Sequence, residues 1–66
     1  MEVQIDYRNA KYQGLVNEST QRHGFGILID DDLSFYVSNW DHGKLHGPTL
    51  IYINHAQYIY GEWHNN

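Results

Sequence analysis

Five histidines in a chain of 66 residues are the first groups whose chemistry must be accounted for: His23, His42, His46, His55 and His64. Imidazole is the commonest metal ligand and the side chain that titrates nearest neutral pH. His42 and His46 are four apart, the spacing that on a helix would point two ligands to one side. Here Gly43 lies between them, one in a loop and the other beside a strand start. There is no HExxH pattern and no cysteine to build a zinc site of the usual kind. His23-Gly24 and His46-Gly47 repeat one dipeptide, which gives both histidines a structural role. No metal ligand and no cofactor are expected. Asp30-Asp31-Asp32 offers oxygen ligands, but a calcium loop also needs a turn glycine and a distant bidentate glutamate, and Leu33-Ser34-Phe35 supplies neither. The triplet reads as a solvated turn. No GxSxG frame is present. Gly24-Phe25-Gly26 lacks the third glycine and the following helix of a dinucleotide loop. No catalytic residue is assigned and the chain is not expected to be an enzyme. A metal-dependent enzyme is the weakest alternative, favoured by histidine count alone.

The elements that hold these residues must come from a small fold. A domain of this size buries only about 60% of the surface its unfolded chain exposes, and such domains are often secured by a disulfide, a metal or a partner. Disulfides are excluded by the absence of cysteine. Eight acidic residues face four basic ones, Arg8, Lys11, Arg22 and Lys44, which are scattered along the chain. That balance opposes binding to a phosphate backbone and weighs against an anionic membrane surface. Nucleic acid is not an expected partner. No apolar run approaches the ~20 residues that cross a bilayer, and no basic and apolar leader opens the chain. An intracellular, cytoplasmic protein is the expectation, with a cytoskeletal or ciliary setting as one version of it.

A repeat organises the sequence. His23-Gly24 returns as His46-Gly47, Ile27-Leu28 as Leu50-Ile51, Phe35 as Tyr58 and Trp40 as Trp63, all at one offset of 23 residues. Tyr12-Gln13-Gly14 matches Tyr36-Val37-Ser38 with one residue more. The segments between are short and rich in Ile, Val, Phe, Tyr and Leu, and polar turn residues separate them, which is strand and not helix composition. Strands are predicted over Val3–Asp6, Lys11–Val16, Gly24–Ile29, Leu33–Trp40, Pro48–Ile53 and Tyr58–Trp63. Arg8-Asn9-Ala10, Asp30-Asp31-Asp32 and Asn54-His55-Ala56-Gln57 form the turns. Asn17–Arg22 and Asp41–Leu45 read as reversing loops. The expected fold is all-β, an elongated antiparallel meander of about three stacked hairpins in a single domain. Its units run over about 12–35, 36–58 and a partial 59–66, after a leading strand and turn at 1–11.

These residues resemble the MORN repeat, a unit of about 23 residues reading roughly YxGxWxxGxxHGxGxxxxxDGxx. The middle unit carries Tyr36, Ser38 in the glycine place, Trp40, Gly43, His46 and Gly47. The first carries Tyr12, Gly14, His23, Gly24, Gly26 and Asp32, and the third Gly61, Glu62 and Trp63. Val16, Thr49 and Ile59 depart from the pattern. Asn9, Leu33 and Ala56 stand where a turn glycine belongs, and Leu33 and Ala56 are poorly suited to positive φ. The resemblance implies a twisted antiparallel sheet that serves as a binding platform or scaffold, in cytoskeletal, ciliary or membrane-associated assemblies. The catalytic domains found beside such arrays in larger proteins have no counterpart here.

Strand alternation puts Tyr36 and Trp40 on one face with Ile59, Gly61 and Trp63, and Phe35, Val37, Tyr58 and Tyr60 on the other. A single-layer sheet cannot cover both faces, so an aromatic stripe is expected to meet a partner. Tyr36, Trp40, Tyr58, Tyr60 and Trp63 are the candidate contacts. Trp40 and Trp63 are expected to pack on repeat glycines in equivalent ways. The third unit stops soon after Trp63, which predicts an edge strand open to pairing. The expected activity is that of a protein-interaction element in a larger assembly, through the aromatic face, an edge strand or self-association. A phospholipid-associated module is the alternative.

Overall fold

The computed structural model describes residues 2–53 and 57–64. They form one six-stranded antiparallel sheet in the order β1-β2-β3-β4-β5-β6. The strands are β1 Glu2–Asp6, β2 Ala10–Val16, β3 Arg22–Asp30, β4 Phe35–Asp41, β5 Lys44–Ile53 and β6 Gln57–His64. Each pairs with its neighbour in sequence, and no helix occurs among the described residues. The expected all-β meander of stacked hairpins is therefore the observed fold, with an envelope of 35 × 25 × 16 Å.

The starts of β1, β2 and β6 fall within a residue of the sequence expectation, but β4 begins two residues late, at Phe35 instead of Leu33, and two strands start early. β3 begins at Arg22 instead of Gly24, and β5 at Lys44 instead of Pro48. Each absorbs residues read as loop, because each contains a bulge. Pairing steps from Gly14↔Gly26 to Val16↔Arg22, and from Ser38↔Thr49 to Asn39↔His46. Gly24 and Gly47, at φ +94° and +80°, supply the left-handed backbone at these steps, a conformation glycine adopts without steric cost. The recurring His-Gly dipeptide is thus a bulge signature. Asp41–Leu45, expected as a loop, narrows to the two-residue turn His42-Gly43 closed by the pair Asp41↔Lys44.

The turn after β3 settles the question of Leu33. It adopts φ +69° in the place of a turn glycine, although a leucine fits that region badly. The turn is held by Leu33 N–H donating to Asp30 O at 3.0 Å and Asp30 N–H to Ser34 O at 2.9 Å. Ser34 N–H also donates to Asp32 Oδ1 at 3.1 Å. The corresponding Ala56, with Asn54 and His55, lies outside the described residues. A left-handed L-residue costs roughly 1–2 kcal/mol, and the leucine side chain, 49% exposed, recovers little by packing. After allowance for the greater freedom of an unfolded glycine, Leu33→Gly is expected to stabilise the fold by about 0.5–1 kcal/mol. The midpoint of urea unfolding would show it, and a lowered midpoint would mean that the leucine's packing outweighs its torsion.

Alternation gives the sheet an inner and an outer face. The inner face holds the core: Tyr12 is 1% exposed and Trp40 5%, with Ser38 and Thr49 buried beside them. Their rings meet edge-on, 5.9 Å between centroids and 89° between planes. Tyr12 lies over Gly14 and Gly26, donates its hydroxyl to Leu15 O at 2.7 Å, and would collide with any Cβ at Gly26. Trp40 donates its indole N–H to Gly26 O at 3.1 Å. The Arg22 guanidinium carbon sits 4.8 Å from the Trp40 ring and 5.4 Å from that of Tyr7, and covers the end of this cluster.

The second unit solves the same problem differently. The pair Gly14↔Gly26 becomes Ser38↔Thr49, so Cβ atoms fill the space over which Tyr12 lies in the first unit. The two buried hydroxyls bond each other at 2.6 Å. Tyr36, the counterpart of Tyr12, instead donates to Asp30 Oδ2 at 3.0 Å. Burial raises the Tyr36 phenol pKa, reinforced by the bond to Asp30 and by nearby acidic charge. Burial also raises that of Tyr12, against an opposing pull from Arg22. The departure at Thr49 from the glycine pattern is therefore matched by a compensating change at Ser38.

Candidate functional site

The five aromatic candidates divide between the faces. Trp40 is a core residue, and at 5% exposure it is not open to a partner; it leaves the contact set because the inner face closes over it. Tyr36 is half-buried and held by Asp30. Trp63 is half-buried on the inner side, where its ring edge would lie 3.2 Å from a Cβ at Gly61. The expected equivalence with Trp40 is thus a likeness of position with different burial. Only Tyr58 and Tyr60, each 70% exposed, stand free on the outer face.

That outer face is apolar across four strands. One row of cross-strand neighbours runs Ile27, Val37, Leu50, Tyr60, and the next Ile29, Phe35, Tyr52, Tyr58. None of these eight is buried. The Phe35 and Tyr52 rings meet at 5.8 Å. Phe25, 53% exposed, and Leu15, 40%, extend the patch toward β2. Phe25 and Leu15 were not among the sequence candidates, since glycine flanks disguise Phe25 as part of a turn motif. Alternation from Tyr58 back through the repeat offset to Phe35 was the signal that pointed to this face.

A second feature was missed. One residue beyond the Gly24↔Trp40 pair, His23 approaches Asp41, with Nδ1 3.7 Å from Asp41 Oδ1. His42 Nδ1 lies 2.6 Å from the same oxygen. The His23 and His42 rings meet edge-on at 5.0 Å. His42 N–H donates to His23 Nδ1 at 3.3 Å. The turn is also clamped to β3 through its backbone. Gly43 N–H donates to Arg22 O at 2.8 Å, and the Arg22 guanidinium donates to Gly43 O at 2.9 Å. The hydrogen bond from His42 lowers the Asp41 carboxyl pKa below its ordinary value, with desolvation opposing and the charges of His42, His23 and His46 assisting. The 23-residue offset maps His23 to His46 and Asp41 to His64, and His46↔His64 are indeed register partners with rings 6.0 Å apart. Four histidines and an aspartate therefore gather along one margin of the sheet. The sequence reading assigned the His-Gly histidines a structural role and did not carry the offset on to Asp41.

No helix among the described residues is long and apolar enough to cross a membrane. No family model matches this sequence, and no curated protein matches it.

Proposed function

We propose that this chain is a non-catalytic protein-interaction element, a MORN-type array of β-hairpins whose outer face docks against another polypeptide. The observation that carries the reading is the outer face itself, two adjacent rows of aliphatic and aromatic side chains that end in the free rings of Tyr58 and Tyr60. Soluble monomers seldom leave contiguous apolar patches of this kind uncovered unless the patch is a binding site. Exposed tyrosine suits such a role, because its ring gives contact area with few rotatable bonds and its hydroxyl tolerates a wet rim. The repeat reading is supported by the paired bulges at Gly24 and Gly47 and by the substitution of Ser38↔Thr49 for Gly14↔Gly26 at one register position. A role as a small subunit within a larger assembly follows from this reading. The acidic charge favours a protein over an anionic lipid surface.

The test is position-specific photo-crosslinking in the native cell. A benzophenone side chain at Tyr60 should trap a discrete protein partner, or a second copy of the chain, whereas the same group at exposed Glu18 should not. Tyr58→Arg together with Tyr60→Arg should leave the fold intact and remove the partner. Crosslinks of equal yield from both positions, or none from Tyr60, would overturn the proposal.

A further inference from the structure

We propose that His23, Asp41 and His42 form a binding site for one divalent transition-metal ion, for which Zn(II) is the fitting probe. Three donor atoms, one from each residue, lie within 4.8 Å of one another. Four-coordinate zinc holds its ligands at about 2.0–2.1 Å, which places ligand atoms roughly 3.3 Å apart. The spacing of 3.7 Å from His23 Nδ1 to Asp41 has to close slightly, the 2.6 Å from His42 to Asp41 has to open, and His23 Nδ1 has to give up the long 3.3 Å bond it accepts from His42 N–H. The side chains are free to make these adjustments, being 44%, 37% and 68% exposed for His23, Asp41 and His42. Two imidazoles and one carboxylate suit zinc and its neighbours in the first transition row, and not calcium or magnesium, which prefer oxygen throughout. Three protein ligands leave the fourth position for water.

The backbone keeps these ligands together. His42 sits at φ +52° in the first place of a two-residue hairpin turn, before Gly43 at +88°. Asparagine followed by glycine is the usual choice for such a turn, and histidine tolerates the same torsion, so the turn accepts His42 without requiring it. His23 comes from a different strand, and two bonds between Arg22 and Gly43, one through the backbone and one from the Arg22 guanidinium, fix its distance from the turn. A metal here would tie β3 to the β4–β5 hairpin, a cross-link that a small cysteine-free sheet otherwise lacks.

Zn(II) added to metal-free protein should bind with one ion per chain, raise the thermal midpoint, and release its effect on chelation. His42→Asn separates the site from the fold, since an Asn-Gly turn should fold at least as well. Its metal-free midpoint should equal or exceed that of the native chain, while its zinc affinity falls by at least ~10–100-fold, the range known for loss of outer-shell partners alone. Asp41→Asn should give a comparable loss of affinity. Binding unchanged in both variants, no binding at ~100 μM Zn(II), or half an ion per chain with dimer formation would each overturn a site complete within one chain.

Discussion

Gly26→Ala is expected to cost about 3 kcal/mol or more, a large share of this chain's stability, although it adds a single methyl group. A Cβ at that position would stand 2.5 Å from Tyr12 Cε1 and closer still to the phenol end of the ring. Tyr12 cannot yield, because it is 1% exposed, tied to Leu15 O and braced edge-on by Trp40. Overpacking of this kind costs typically 1–3 kcal/mol and more where nothing relaxes. Moving Gly26 also disturbs the carbonyl that receives the Trp40 indole N–H. A 66-residue chain has on the order of 3–10 kcal/mol of total stability on the usual per-residue scale. Chemical denaturation of the variant measures the loss. A double-mutant cycle identifies its cause: in a Tyr12→Ala background the same glycine change should cost little, because the colliding ring is gone. A native midpoint for Gly26→Ala alone would show that the ring is free to move.

Trp40→Ala should cost about 3–5 kcal/mol, the range for a large aromatic removed from a core. The indole contributes more than area here. It braces Tyr12, lies under the Arg22 guanidinium and satisfies Gly26 O. Trp40→Phe retains most of the apolar surface yet removes the bond to Gly26 O, a loss of roughly 0.5–1.5 kcal/mol. Trp63→Ala is the informative comparison. Repeat logic alone would give the two tryptophans equal weight, whereas the half-buried Trp63 should cost less than half as much as Trp40. Equal losses from parallel urea titrations would restore the equivalence that burial denies.

The strands were legible because their signal is local. Short apolar runs broken by polar turns need no tertiary knowledge, and the 23-residue offset supplied the order of hairpins. The bulges were not legible, because a glycine two residues from a strand boundary looks the same whether it ends a loop or kinks a strand. Leu33 in a left-handed turn was also beyond reach, since propensity argues against it and the hydrogen bonds around Asp30 and Ser34 override propensity. Of the five aromatic candidates, alternation assigned faces correctly but could not say which face closes. That depends on Gly14 and Gly26, whose missing side chains admit the Tyr12 ring. The meeting of His23 with Asp41 and His42 required the β3–β4 register, which runs unbroken from Ile29↔Phe35 to Gly24↔Trp40 and brings His23 beside Asp41 one step further on, beyond where the strands were expected to end.

The meander has a kinetic consequence. Each strand's partners are its immediate neighbours in the chain, and the connectors run from two residues, 42–43, to five, 17–21. No pairing waits on the closure of a long loop, so the entropy lost before the first native contacts form is small. Sheets whose pairings join distant segments fold slowly, whereas here every pairing is between sequence neighbours and refolding should be fast for an all-β chain. Nucleation is best placed at β3–β4–β5, where the shortest turn lies and where Trp40 and Thr49 are buried. Amide exchange should then be slowest at the centre of the sheet and quicken toward β1 and β6, each of which leans on one neighbour alone among the described residues.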